Sequence, residues 1–143
     1  MAVNFGLEGS LPETEMRVLI VESNRDLGTI WKRHIERCGA TVSLVSGQED
    51  AIDELQRSEP QVIVLNLLID SGSAFAIADY AAYRYPDTKV VFVTSKSFFS
   101  DGSIFKHIPN ACAFLPSNSE PGDLATIVDY YGAIGAARAA LPN

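Results

Sequence analysis

Val62-Ile63-Val64-Leu65-Asn66 is an apolar run that ends in a single side-chain amide. Its hydrophobicity is continuous rather than alternating, the mark of a strand buried on both faces. Three other stretches repeat the arrangement. Val18-Leu19-Ile20-Val21 ends in Glu22-Ser23, Val90-Val91-Phe92-Val93 ends in Thr94-Ser95, and Cys112-Ala113-Phe114-Leu115 leads into Pro116-Ser117. Four buried strands therefore deliver small polar groups to one end of a sheet, where open α/β sheets place their sites.

Working outward, strands are expected at Arg17 to Val21, Thr41 to Val45, Val62 to Asn66, Val90 to Thr94 and Ala111 to Leu115. Helical patterns alternate with them. One runs from about Arg25 to Cys38, with Gly39 as a left-handed stop. The next opens on Ser46-Gly47-Gln48-Glu49, a capping-box pattern, and ends near Ser58 before Pro60. A third runs from about Ser73 to Tyr85, before Pro86. A fourth is placed near Asp101 to His107. The last starts after Ser119, tolerates Pro121 in its first turn and continues toward Ala140. Five βα units predict a single flavodoxin-like, doubly wound, five-stranded parallel sheet of order 2-1-3-4-5, with helices on both faces. Residues 1–15, rich in Gly, Pro and Glu and without period, read as a flexible N-terminal arm. The domain is expected over 16–131, with a helix extension and tail over 132–143.

Composition narrows the function classes. The chain has 143 residues, the length of one domain. A net charge of −7 with no basic stripe argues against nucleic acid as a partner. No apolar stretch approaches the ~20 residues of a membrane helix, and the N-terminus lacks the basic and apolar regions of a signal peptide. The expectation is a cytoplasmic protein. Cys38 and Cys112 match no zinc or CxxC spacing and read as small hydrophobes.

The strand ends and their spacing resemble the receiver domain of two-component response regulators, over roughly residues 16–131. That family ends its first strand in two acids that hold Mg²⁺; Glu22 and Ser23 stand there. It ends its third strand in the phosphoaccepting Asp; Asn66 stands there. The following loop reads Ile69-Asp70-Ser71-Gly72-Ser73-Ala74 and lacks the family's Pro and final Gly. Thr94 keeps the Thr or Ser of the fourth strand, and Phe114 keeps the switch aromatic of the fifth. Ser117-Asn118 replaces the Lys-Pro pair. The resemblance thus implies a degenerate, CheY-like pseudo-receiver without its nucleophile. The losses share a physical logic, since removing two acids and the Lys leaves a nearly neutral, hydrogen-bonding cluster. Glu22 and Asp70 are the remaining metal candidates. One carboxylate without a phosphate makes a poor Mg²⁺ site, and a loop Asp more often caps the following helix.

Other constellations are less telling. His34 and His107 have no partner acid at a diagnostic spacing. No GxSxG elbow or GxGxxG loop is present, and Glu22 and Asp26 would repel a phosphate at the loop where flavodoxins hold one. Phe98, Phe99 and Phe105 lie around the fourth helical segment, and Tyr130 and Tyr131 lie on the last helix. In receivers the face made by the fourth helix, fifth strand and fifth helix binds partners, so these aromatics are either anchors or core. Trp31 carries the same ambiguity. The small residues of the tail from Gly132 to Leu141 permit close helix approach, so the last helix either extends and dimerises or frays, and a homodimer is expected through the face of the fourth helix, fifth strand and fifth helix.

The resulting expectation is a stand-alone, non-enzymatic receiver-like module without cofactor. It would bind a protein, such as a histidine kinase or other phosphorelay component. The alternatives are phosphorylation on Asp70 as a substitute acid, or a small-ligand-binding flavodoxin-like domain.

Overall fold

The structure, a computed structural model, describes residues 16–95 and 108–140, with 135–140 described by backbone alone. The expected arm, the helix near 101–107, and Phe98, Phe99, Phe105 and His107 lie outside the described residues.

Five parallel strands form one sheet: β1 Arg17–Val21, β2 Thr41–Val45, β3 Val62–Asn66, β4 Lys89–Thr94 and β5 Ala111–Pro116. Their order is β2-β1-β3-β4-β5, the expected flavodoxin-like arrangement. Four helices accompany them among the described residues: α1 Arg25–Glu36, α2 Gln48–Arg57, α3 Ala74–Arg84 and α4 Pro121–Ala140.

The continuous apolar runs are explained by two cores, one on each face. Alternate strand residues point to opposite sides. Val18, Ile20, Val62, Val64, Val91 and Val93 meet Trp31 and Ile35 of α1 and Leu124, Ala125 and Val128 of α4. Leu19, Val21, Ile63, Leu65, Val90 and Phe92 meet Ala51 and Leu55 of α2 and Ile77, Ala78 and Ala81 of α3. Each large aliphatic side chain fully removed from water contributes about 1.5–3 kcal/mol. Trp31 is buried in the first of these cores, which decides its role.

Several local expectations need correction. Gly47, not Ser46, precedes the first turn of α2, and it makes no side-chain cap bond. Gln48 turns its amide across to the β3–α3 loop instead. Asp70 does not cap α3; Ser73 does, its Oγ accepting from the Ala76 N–H at 3.3 Å. Cys38 is exposed rather than a buried hydrophobe. β5 also carries an irregularity absent from the sequence reading. Val90 pairs with Ala111 and Val91 with Ala113, so Cys112 is an extra residue in the ladder. Its carbonyl accepts a hydrogen bond from the Tyr131 hydroxyl at 3.2 Å.

Candidate functional site

Parallel strands place their carboxyl ends together, so β1 and β3 bring Glu22 and Asn66 to adjacent positions, 44 residues apart in sequence. Glu22 is only 4% exposed. A buried carboxylate needs donors, and it has two. The Asn66 Nδ2 donates to Oε1 at 2.7 Å, and the Asn24 N–H donates to Oε2 at 2.8 Å. The other end of the Asn66 amide is also used, since Oδ1 accepts from the Leu68 N–H at 2.8 Å. This pairing fixes the amide's orientation: a flipped amide would set oxygen against carboxylate and N–H₂ against N–H. The position needs one donor and one acceptor, and asparagine is the side chain that supplies both in the space of a carboxyl group.

Ser23, next along the chain from Glu22, is bonded at both its donor and its acceptor. Its hydroxyl donates to the Ser46 carbonyl at 2.8 Å and accepts from the Asp70 N–H at 2.8 Å. The end of β2, the end of β1 and the β3–α3 loop are thereby joined through one oxygen. Gln48 adds two more ties. Its N–H donates to the Ser71 carbonyl at 3.0 Å, and its Oε1 accepts from the Ser73 N–H at 2.8 Å. Gly72 makes the approach possible. It sits at φ +90°, and a Cβ there would run into Gln48. The loop over the site is therefore held by neutral groups: Asn66, Ser23 and Gln48. Sequence reasoning named the first two positions but missed Gln48. The glycine two residues past Asp70 was its only visible signal.

The remaining positions are near but play other parts. Thr94 is buried at the end of β4, and its carbonyl accepts from the Ser117 N–H at 2.9 Å. Phe114 is half-buried and stacks on Phe92, ring centroids 5.1 Å apart. Phe92 in turn meets Phe75 of α3 at 6.2 Å. On α4, Tyr131 is half-buried against β5, whereas Tyr130 is exposed. Asp70 is exposed and anchored by its backbone. A cleft of about 380 Å³ opens beside Glu22 and Ser23, with Arg25 and Asp50 on its rim.

The donor set does not fit a divalent cation. Mg²⁺ takes oxygen ligands in near-octahedral geometry. Here both Glu22 oxygens already accept hydrogen bonds, and Asn66 turns its nitrogen toward that carboxylate. Among the described residues, no three His, Cys, Asp or Glu side chains converge to hold a metal.

No family model matches this chain, and no curated protein does. Solved structures match its fold closely. The signal receiver domain of a Vibrio parahaemolyticus protein described as a LuxO repressor is 23% identical. The alignment covers 87% of this chain and 95% of that one, with a TM-score of 0.79. A CheY-like response regulator receiver domain from Methanospirillum hungatei is 16% identical over 87% and 98% of the two chains, TM-score 0.77. The non-phosphorylated HemR receiver domain from Leptospira biflexa is 18% identical over 90% and 98%, TM-score 0.73. The fold is thus the CheY-like, flavodoxin-like receiver fold.

Proposed function

We propose that this chain is a receiver-like signalling module of a two-component phosphorelay that binds protein partners and accepts no phosphoryl group. The observation that carries the reading is the Asn66 amide. It stands at the end of β3 with its nitrogen committed to Glu22 and its oxygen to the Leu68 N–H. An amide lacks the anionic oxygen that attacks phosphorus, and phosphoryl transfer also needs a cation to offset charge. Glu22, Ser23 and Asn66 supply one negative charge between them. On this reading the module does no chemistry of its own. Its output is a fixed surface, because the β3–α3 loop is tied down without any ligand.

The reading predicts an inert site. In a ¹⁵N-resolved titration with Mg²⁺ and beryllofluoride, a phosphoryl mimic, the amides of residues 66–73 should hold their positions. Saturable shifts there would show a working metal and phosphoryl pocket and overturn the proposal.

A further inference from the structure

α3 is apolar on nearly every side. Ala74, Ile77, Ala78 and Ala81 bury themselves on the sheet. Asp79 and Tyr83 then fall at i and i+4 on the opposite side, with Phe75 one turn earlier on the flank where its ring also meets Phe92, and all three are exposed, Tyr83 by 87%. At 1.5 Å per residue the stripe is about 12 Å long. Ala82 lies along its edge, half-buried. An ordinary surface helix places several charges on this face; here Asp79 is the one charge among Phe75, Ala76, Asp79, Tyr80, Ala82 and Tyr83.

The surroundings say what would cover it. α2 packs beside α3, the Tyr85 hydroxyl donating to the Leu55 carbonyl at 2.6 Å. The exposed side of α2 carries Glu49 and Asp53, while Asp50 turns to the cleft beside Arg25. The nearby basic groups are engaged: Arg57 pairs with Glu54 at 2.8 Å, and the Arg84 guanidinium sits over the Tyr85 ring at 5.4 Å. A second copy of the chain would bring Asp79 and the α2 acids against their like, at net charge −7 on each side.

We infer that the exposed face of α3, with the acidic flank of α2, is a docking surface for a cationic amphipathic helix of a partner protein. Leucine-like residues of that helix would pack on Phe75 and Tyr83, and its Lys or Arg residues would meet Asp79 and the α2 carboxylates. The inference rests on the reading of the chain as an interaction module, but not on the loss of phosphoryl transfer.

The test uses a synthetic helix of about 16 residues, leucines on one face and lysines flanking them, and a scrambled peptide of the same composition. The designed helix should give saturable amide shifts on α3 and α2, and the scrambled one should not. Tyr83→Ala should weaken binding about tenfold. Tyr83 is almost wholly exposed, so this variant keeps the fold. Asp79→Asn should weaken it about threefold and flatten its salt dependence. Equal binding of both peptides, or Tyr83→Ala binding like wild type, would overturn the surface. So would self-association through α3 in sedimentation equilibrium without peptide. Shifts confined to Tyr130, Tyr131 and β5 would overturn it while leaving the interaction-module reading intact.

Discussion

Asn66 donates to the Glu22 carboxylate through Nδ2 and accepts from the Leu68 N–H through Oδ1. Replacing it by aspartate keeps the oxygen that accepts from Leu68 but turns the other arm from donor to acceptor, facing the Glu22 carboxylate. Asn66→Asp should cost about 1–3 kcal/mol in urea unfolding at neutral pH without metal, from like charge and a lost donor. Millimolar Mg²⁺ should recover part of the loss in the double variant Ser23→Asp, Asn66→Asp by binding the folded state alone, and Ser117→Lys should recover more. A double variant as stable as wild type and indifferent to Mg²⁺ would mean that these side chains do not converge. Cys112 tests a different environment. Burial on the bulge pushes its thiol up from 9.0 to about 12. A thiol whose folded pKa is raised gives stability that is complete below the unfolded pKa and is lost as pH climbs through the window from there toward the folded value. Wild type should therefore lose urea stability relative to Cys112→Ala above about pH 9, and parallel curves would argue against the burial. The positions of Glu22, Ser23 and Asn66 were legible in the sequence, because strand ends in a parallel sheet converge by rule. Their bonding was not, because it depends on which hydroxyl or amide turns toward which carbonyl.

Among the elements, the strands and the order of the sheet were the most readable, since the buried apolar runs of β1, β3 and β4 leave little choice of face or class, although β5, expected to be buried, is only half-buried. Helix starts were less so. Ser46-Gly47-Gln48-Glu49 has the letters of a capping box, yet the Gln48 side chain serves the neighbouring loop and the cap is left to Gly47. The extra residue in β5 has no sequence signal at all. It emerges from register against β4, which is a tertiary matter. The loop offers a direct check on the tie between α2 and α3. Gly72→Ala must place a side chain at φ +90° and displace Gln48. It should cost about 1–2 kcal/mol and speed hydrogen exchange at the Ser73 amide. Unchanged exchange there would show that Gln48 does not hold the loop.

At the scale of the whole molecule, the fold is the CheY-like, flavodoxin-like one, and the ends of β1 and β3 meet around one buried carboxylate, Glu22, bonded by Asn66 and Asn24. Fold alone never assigns function; the proposal that the chain takes no phosphoryl group rests on the Asn66 amide and its two hydrogen bonds. The two cores hold the sheet rigid from both sides, so the bonded loop and the exposed face of α3 are presented on a firm base. The decisive measurement is intact mass after incubation with acetyl phosphate and Mg²⁺. The account predicts the unmodified mass for wild type at every time point. A stoichiometric species heavier by one phosphoryl group, mapped by peptide sequencing to Asp70 or to any other residue of the 66–73 loop, would contradict it.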